Sequence, residues 1–196
     1  MKFRNFFKYL MDRFNAVNTR EVRRMVLMVY FRILFPITFT MVFVSKLFDR
    51  LLGLPPLTGY PANVICGTIS IIAGLIVVGW SYSYLNLEGK GSPVPGFKKT
   101  VFLVTTGPYA LSRHPSVIGK LLGVIGLAFF FKSCFFMFVT IPVLLIGSIF
   151  EKKYRQEPVD LEMWGASFID YQRRVPILFP RLRNLVAFFS DLKHNI

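Results

Sequence analysis

Four long apolar blocks, separated by short polar or Pro/Gly-rich stretches, dominate the hydrophobic pattern of this chain. They run from about Met25 to Leu47, Ala62 to Leu85, Val117 to Phe131 and Cys134 to Phe150. Several approach the roughly 20 residues a helix needs to cross a bilayer. The pattern therefore predicts an all-α integral membrane bundle of about four transmembrane helices. The third block is short for a full crossing, so it is expected to tilt little, to bury one end in protein or to be partly re-entrant. Only Lys132 and Ser133 separate it from the fourth, which predicts a tight helical hairpin.

Ahead of these blocks, Phe3, Phe6, Phe7, Leu10 and Phe14 recur at helical spacing with Lys2, Arg4, Lys8 and Arg13 between them. That arrangement predicts an amphipathic helix lying in the membrane interface over residues 1–24. It fits a secretory signal less well, because the following apolar run is long and no small-residue cleavage site ends it. Asn18, with Glu21 three residues on, is placed to cap the next helix. The whole chain, 1–196, reads as one domain: the interfacial helix, membrane spans over 25–150, and a cytosolic helical segment over 151–196, whose part from Leu182 to Leu192 again has amphipathic spacing.

Within the first block, Arg32 lies about two turns inside and is expected to snorkel to the interface, and Pro36 is a second irregularity. A loop holding Gly53, Pro55, Pro56, Gly59 and Pro61 leads to the second block, where Gly67, Gly74 and Gly79 suit close helix packing. Gly119, Gly123 and Gly126 give the third block a Gly-x-x-x-Gly element. Packing is its expected use, ahead of a groove for a lipid chain.

Composition agrees with the pattern: 54% of residues are hydrophobic and 22 are Phe, far from a soluble domain. The net charge of +14 does not change the class to a nucleic-acid binder. Lys and Arg beside apolar blocks set topology and meet anionic headgroups. Residues 1–24 carry seven of them, 86–116 four and 151–196 eight, against Lys46 and Arg50 in the first loop. This asymmetry predicts a multi-pass chain with both termini in the cytosol and puts segments 86–116 and 151–180 on that same side.

Those two segments hold the polar chemistry. The first reads Gly89-Lys-Gly-Ser-Pro-Val-Pro95, then Leu103-Val-Thr-Thr-Gly-Pro-Tyr-Ala-Leu-Ser-Arg-His-Pro115. Pro115 suits the first turn of a helix, and Arg113 and His114 stand at its entrance, where free helix-start N–H groups and cations favour an anion. The second offers Gln156-Glu157-Pro158, Trp164-Gly165-Ala-Ser-Phe168-Ile-Asp-Tyr171, Arg173-Arg174, Val175-Pro176 and Phe179-Pro180. Trp164, Phe168, Tyr171 and Phe179 are of the type that anchors at headgroup level. Arg173 and Arg174 are candidates for phosphate binding or for reinforcing orientation. Cys66 and Cys134 lack a CxxC or nearby His and predict neither a metal site nor a disulfide.

Over about residues 85–181 these motifs, in order and at similar separations, resemble the isoprenylcysteine carboxyl methyltransferase and phospholipid N-methyltransferase group of membrane enzymes. Val117 stands where that group often has Tyr, Gln156 where it has the first Glu, and Asp160-Leu161 displaces its usual Leu by about one position. The resemblance implies S-adenosylmethionine as methyl donor and a lipidic or small amphiphilic acceptor. It also implies cofactor contacts at Tyr109, Arg113, His114 and Pro115, with Glu157 pairing the donor's amino group; Arg173, Arg174 and Tyr171 are candidates for the acceptor. The acceptor itself is left open between a prenylated cysteine carboxylate, an aminophospholipid and a small amphiphile. Two other readings stand beside it. Sterol-reductase-like enzymes using NADPH resemble the same superfamily around a His-Pro element, but four spans leave them little room. A non-catalytic membrane component could keep the scaffold.

Overall fold

The computed structural model describes residues 35–91 and 100–180, together with Arg24, Met28, Phe31 and Arg32. The expected interfacial helix, most of the first block before residue 35, the proline-rich stretch 92–99 and the tail beyond 180 lie outside the described residues. Within them every regular element is helical. We label them α1 (Phe35–Leu51), α2 (Ala62–Leu87), α3 (Pro108–Leu111), α4 (Pro115–Phe130), α5 (Ile141–Glu151) and α6 (Glu157–Arg174). Two π-helical turns, Phe136–Thr140 and Lys152–Gln156, lead into α5 and α6. Among the described residues α2 is the helix long and apolar enough to cross a membrane by length and composition, and α4 is apolar but shorter.

The centre of the bundle is the α2–α4 pair, the most extensive helix contact in the structure. Glycines explain it. A Cβ on Gly74 would lie 2.5 Å from the Gly119 carbonyl oxygen, and one on Gly119 would lie 2.8 Å from that of Gly74. Seven residues along, a Cβ on Gly126 would lie 2.8 Å from the Gly67 oxygen. Two turns per seven residues return to the same helix face, so the paired glycines form two backbone-to-backbone contacts along one seam. Gly123, expected in the sequence to share this role, has open space where a Cβ would go.

Polar groups are satisfied inside the apolar framework. Ser81 and Ser83 donate to the carbonyls of Val77 and Gly79, one turn back. Ser45 and Thr140 share a 2.8 Å hydrogen bond between α1 and the first π turn. At the end of the bundle away from the motifs, Asp49 Oδ1 accepts the Phe135 N–H at 2.8 Å and Ser133 Oγ accepts that of Phe136 at 3.1 Å. The tight turn at Lys132 and Ser133 is present as the hairpin pattern predicted. Asp49 reaches across from α1 to cap it, satisfying first-turn N–H groups that have no partner inside their own helix. Around this end Val42, Ala128, Phe136 and Ile141 form a buried cluster.

The outer surface is apolar. Phe35, Phe39 and Phe43 project along α1, and Ile65, Ile69, Ile72 and Leu75 along α2, all exposed. A contiguous surface of this kind suits an apolar surround rather than water.

Candidate active site

The motif-bearing segments meet at the other end of the bundle. After α2 the chain folds back, with the Val101 N–H donating to the Gly89 carbonyl at 2.8 Å. It turns at Gly107 into α3 and then enters α4 through Ser112, Arg113 and His114. Gly107 has φ +57°, and a Cβ there would lie 2.3 Å from the Tyr84 ring. Glycine is thus required by both backbone and neighbour, which accounts for the Gly-Pro-Tyr element.

Arg113 and His114 are held by the chain that follows α6. The Arg113 N–H donates to the Pro176 carbonyl at 3.0 Å, and the His114 N–H to that of Ile177 at 3.2 Å. Ser112 Oγ donates to Ile177 O at 3.1 Å. Tyr171 OH donates to the Tyr109 carbonyl at 2.7 Å, tying α6 to α3. The Gly-Pro-Tyr, Arg-His-Pro and Val-Pro elements are therefore one stitched unit despite being about 60 residues apart in sequence.

Glu157, at the start of α6, is buried behind this unit. Its Oε1 stands 3.2 Å from Arg113 Nη1 and 3.5 Å from His114 Nε2, while Gln172 Nε2 donates to Oε2 at 3.0 Å. These charge contacts do not close into full hydrogen bonding. Among the described residues Arg113 Nε, His114 Nε2 and Glu157 Oε1 are buried without a hydrogen-bond partner. Burial lowers the His114 pKa, only partly opposed by the nearby Glu157 carboxylate, so the imidazole is neutral near pH 7.

Arg113 and His114 form part of the wall of a cavity of about 480 Å³ between α2, α3, α4 and α6, within the usual range for small-molecule sites. Tyr82, Tyr109, Trp164, Phe168 and Tyr171 supply an aromatic lining. Burial pushes the phenols of Tyr109 and Tyr171 up, keeping both neutral. Lys120, Lys152 and Arg155 stand on the same wall.

The expected site residues separate into three groups. Tyr109, Arg113, His114 and Tyr171 face the cavity; Glu157 and Pro115 are buried next to it without lining it. Arg173 and Arg174 are exposed at the end of α6, where Arg173 lies 3.8 Å from Asp170 and Arg174 Nε donates to the Asp170 carbonyl. Asp160, to which the motifs assign no role, also lines the cavity. Asp160 and Trp164 are one turn apart on the first part of α6, and a kink at Gly165 (φ +52°) brings Phe168 and Tyr171 to the same cavity.

Burial, followed by the charge of Glu157, raises the Asp160 pKa from its ordinary 3.8 to about 6, with Lys152 opposing. The folded protein thus holds a proton that the unfolded chain releases between about pH 4 and 6. Asp160 contributes a penalty above this window that is relieved as pH falls through it. Melting curves in detergent are expected to show wild type gaining stability relative to Asp160→Asn on acidification from pH 7 to 4. His114 acts in the opposite sense in both proteins and cancels in the comparison. A difference independent of pH would contradict this placement of Asp160.

The Gly-Pro-Tyr, Arg-His-Pro and Val-Pro elements thus converge on one aromatic cavity of a helical bundle. Residues 62–159, half of the chain, match the phospholipid methyltransferase family, and the chain belongs to it. It is 35% identical over 85 residues to the nickel-cobalt-cadmium resistance protein NccN of Alcaligenes xylosoxydans xylosoxydans, covering 43% of this chain and 39% of that protein. To the cobalt-zinc-cadmium resistance protein CzcN of Cupriavidus metallidurans it is 35% identical over 85 residues, covering 43% and 38%. The matched region spans well under half the length of these curated relatives. No solved structure matches the chain. Among the described residues no group of three or more His, Cys, Asp or Glu side chains is placed to hold a metal ion.

Proposed function

We propose that this protein is an S-adenosylmethionine-dependent methyltransferase acting on a lipidic or small amphiphilic acceptor at the cytosolic face of a membrane, which it crosses about four times with both termini in the cytosol. Family membership supports the reaction class. The charge asymmetry of the loops supports the orientation. The observation that carries the reading is that Arg113 and His114, both held beside the buried Glu157, line a cavity whose other walls are largely aromatic. A pocket of apolar and aromatic side chains with a few convergent polar groups is the usual form of a small-molecule site.

The residues present fit the donor. Arg113 and His114 offer N–H groups to a carboxylate, and the aromatic lining offers flat faces to a purine ring and to a positive sulfonium. When bound, the donor supplies an electrophilic methyl group, so the protein needs no covalent nucleophile. Its task is alignment, which can contribute several kcal/mol. Glu157 fixes Arg113 and His114, the 113–114 to 176–177 hydrogen bonds fix their backbone, and the aromatic wall keeps water out. Arg173 and Arg174, exposed at the end of α6 and outside the cavity lining, are left to meet headgroup phosphates.

S-adenosylmethionine binding to the purified protein in detergent tests the reading, with calorimetry on wild type, Arg113→Ala and His114→Ala. Saturable binding in wild type, weakened about tenfold or more in each variant, is the expected result; losing a charged hydrogen bond costs about 1.5–3 kcal/mol. A well-folded wild type that binds NADPH and no S-adenosylmethionine would overturn it.

A further inference from the structure

The cavity has a carboxylate that the motif pattern does not call for. Asp160 stands in the position at which the resembling group carries its usual Leu, and Leu161 follows one residue late. It is half-buried, lines the cavity, and makes no hydrogen bond or ion pair among the described residues. The neighbouring carboxylate, Glu157, is committed to Arg113, His114 and Gln172. Glu151, the other carboxylate lining this wall, lies 2.9 Å from Lys152 Nζ, which leaves Asp160, near Lys152 but in no ion pair with it, as the lining carboxylate placed to meet a ligand.

Its surroundings are those of a cation site. Along α6 follow Trp164 and, past the kink at Gly165, Phe168 and Tyr171, all on the cavity wall, with ring centroids 6.2 Å apart from Trp164 to Phe168 and from Phe168 to Tyr171. Tyr82 and Tyr109 stand on the facing elements. A carboxylate beside several aromatic faces is the arrangement that holds a substituted ammonium group, by charge and by ring quadrupole together. An anionic ligand group would be repelled there and drawn instead to Arg113 and His114, or to Lys120, Lys152 and Arg155. The wall thus sorts charge within one cavity.

We propose that Asp160, with the aromatic face of α6, is an ammonium-binding and specificity-determining subsite of this cavity. It rests on the methyltransferase reading only for the identity of the two amines it can serve, the amino group of the methyl donor or the amine of an acceptor headgroup. Either source demands the same carboxylate.

Binding to the full chain, purified in detergent, distinguishes the two. One pair of probes is S-adenosylhomocysteine and its deaminated analogue; the other is dihexanoyl phosphatidylethanolamine and dihexanoyl phosphatidic acid, which lacks the amine. Asp160→Leu is expected to weaken the amine-bearing member of one pair at least tenfold while leaving its amine-free partner within twofold, and Asp160→Glu is expected to restore part of the loss. Loss confined to the homocysteine pair assigns the donor's amino group, and loss confined to the lipid pair assigns the acceptor's amine. No loss, or equal loss with and without the amine, overturns the subsite. Should Asp160→Leu fail to fold, Asp160→Asn carries the same comparison. Failure of wild type to bind either nucleoside probe would count against the methyltransferase reading, while the lipid pair would still decide the role of Asp160.

Discussion

Glu157→Ala is expected to abolish S-adenosylmethionine binding and to lower the melting temperature of the purified protein. The carboxylate is buried between Arg113 and His114 and receives Gln172 on its other oxygen. Removing one member of a buried charge set leaves the others uncompensated, at a cost of about 3–5 kcal/mol. Part of that cost appears as lost stability. The remainder appears as misplacement of Arg113 and His114, which face the cavity that Glu157 itself does not line. A hundredfold or greater loss of affinity is the expected reading by calorimetry. Glu157→Gln keeps the shape and the Gln172 contact and is expected to fall between the two. An alanine variant that melts and binds as wild type does would show that Glu157 is an incidental charge.

The second large effect is expected far from the cavity. Gly74→Val places side-chain atoms where the Gly119 carbonyl lies 2.5 Å from the Cβ position. Backbone cannot yield as a flexible side chain does, so α2 and α4 must separate along their seam. Overpacking of this kind costs about 1–3 kcal/mol or more, and the α2–α4 contact carries most of the bundle. Thermal unfolding in detergent is expected to show a large fall for Gly74→Val and almost none for Gly123→Ala, which meets open space. Equal effects would refute the seam.

Much of this architecture is legible in the sequence. The second apolar block, about Ala62 to Leu85, forms α2 at Ala62–Leu87, and the third, about Val117 to Phe131, forms α4 at Pro115–Phe130. Long apolar runs in an apolar surround leave the backbone no option but its own i→i−4 hydrogen bonds, so composition and length alone specify helices. Pro115 at the first turn of α4 follows from its missing N–H. The Gly-Pro-Tyr, Arg-His-Pro and Val-Pro elements announced a common site because each is a backbone constraint that survives as local sequence.

What local sequence does not encode is helix phase and helix partner. Gly119, Gly123 and Gly126 are equivalent in the sequence, yet only Gly119 and Gly126 meet α2 backbone where a Cβ would go, because α2 presents its own glycines seven residues apart, at Gly67 and Gly74. The motifs single out Glu157 as the carboxylate of the site and give Asp160, one turn on, no role. The π turn over Lys152–Gln156 adds a residue to the turn and rotates everything after it. In α6, which follows it, Glu157 is buried beside Arg113 and His114 while Asp160, three residues on, stands on the cavity wall. By itself, then, the sequence determined the helical class, the positions of α2 and α4, and the segments that carry the site, since these depend on solvent and on local backbone chemistry. Only the tertiary structure decided which side chain supports the site and which faces a ligand, because that depends on the angle at which one helix meets the next.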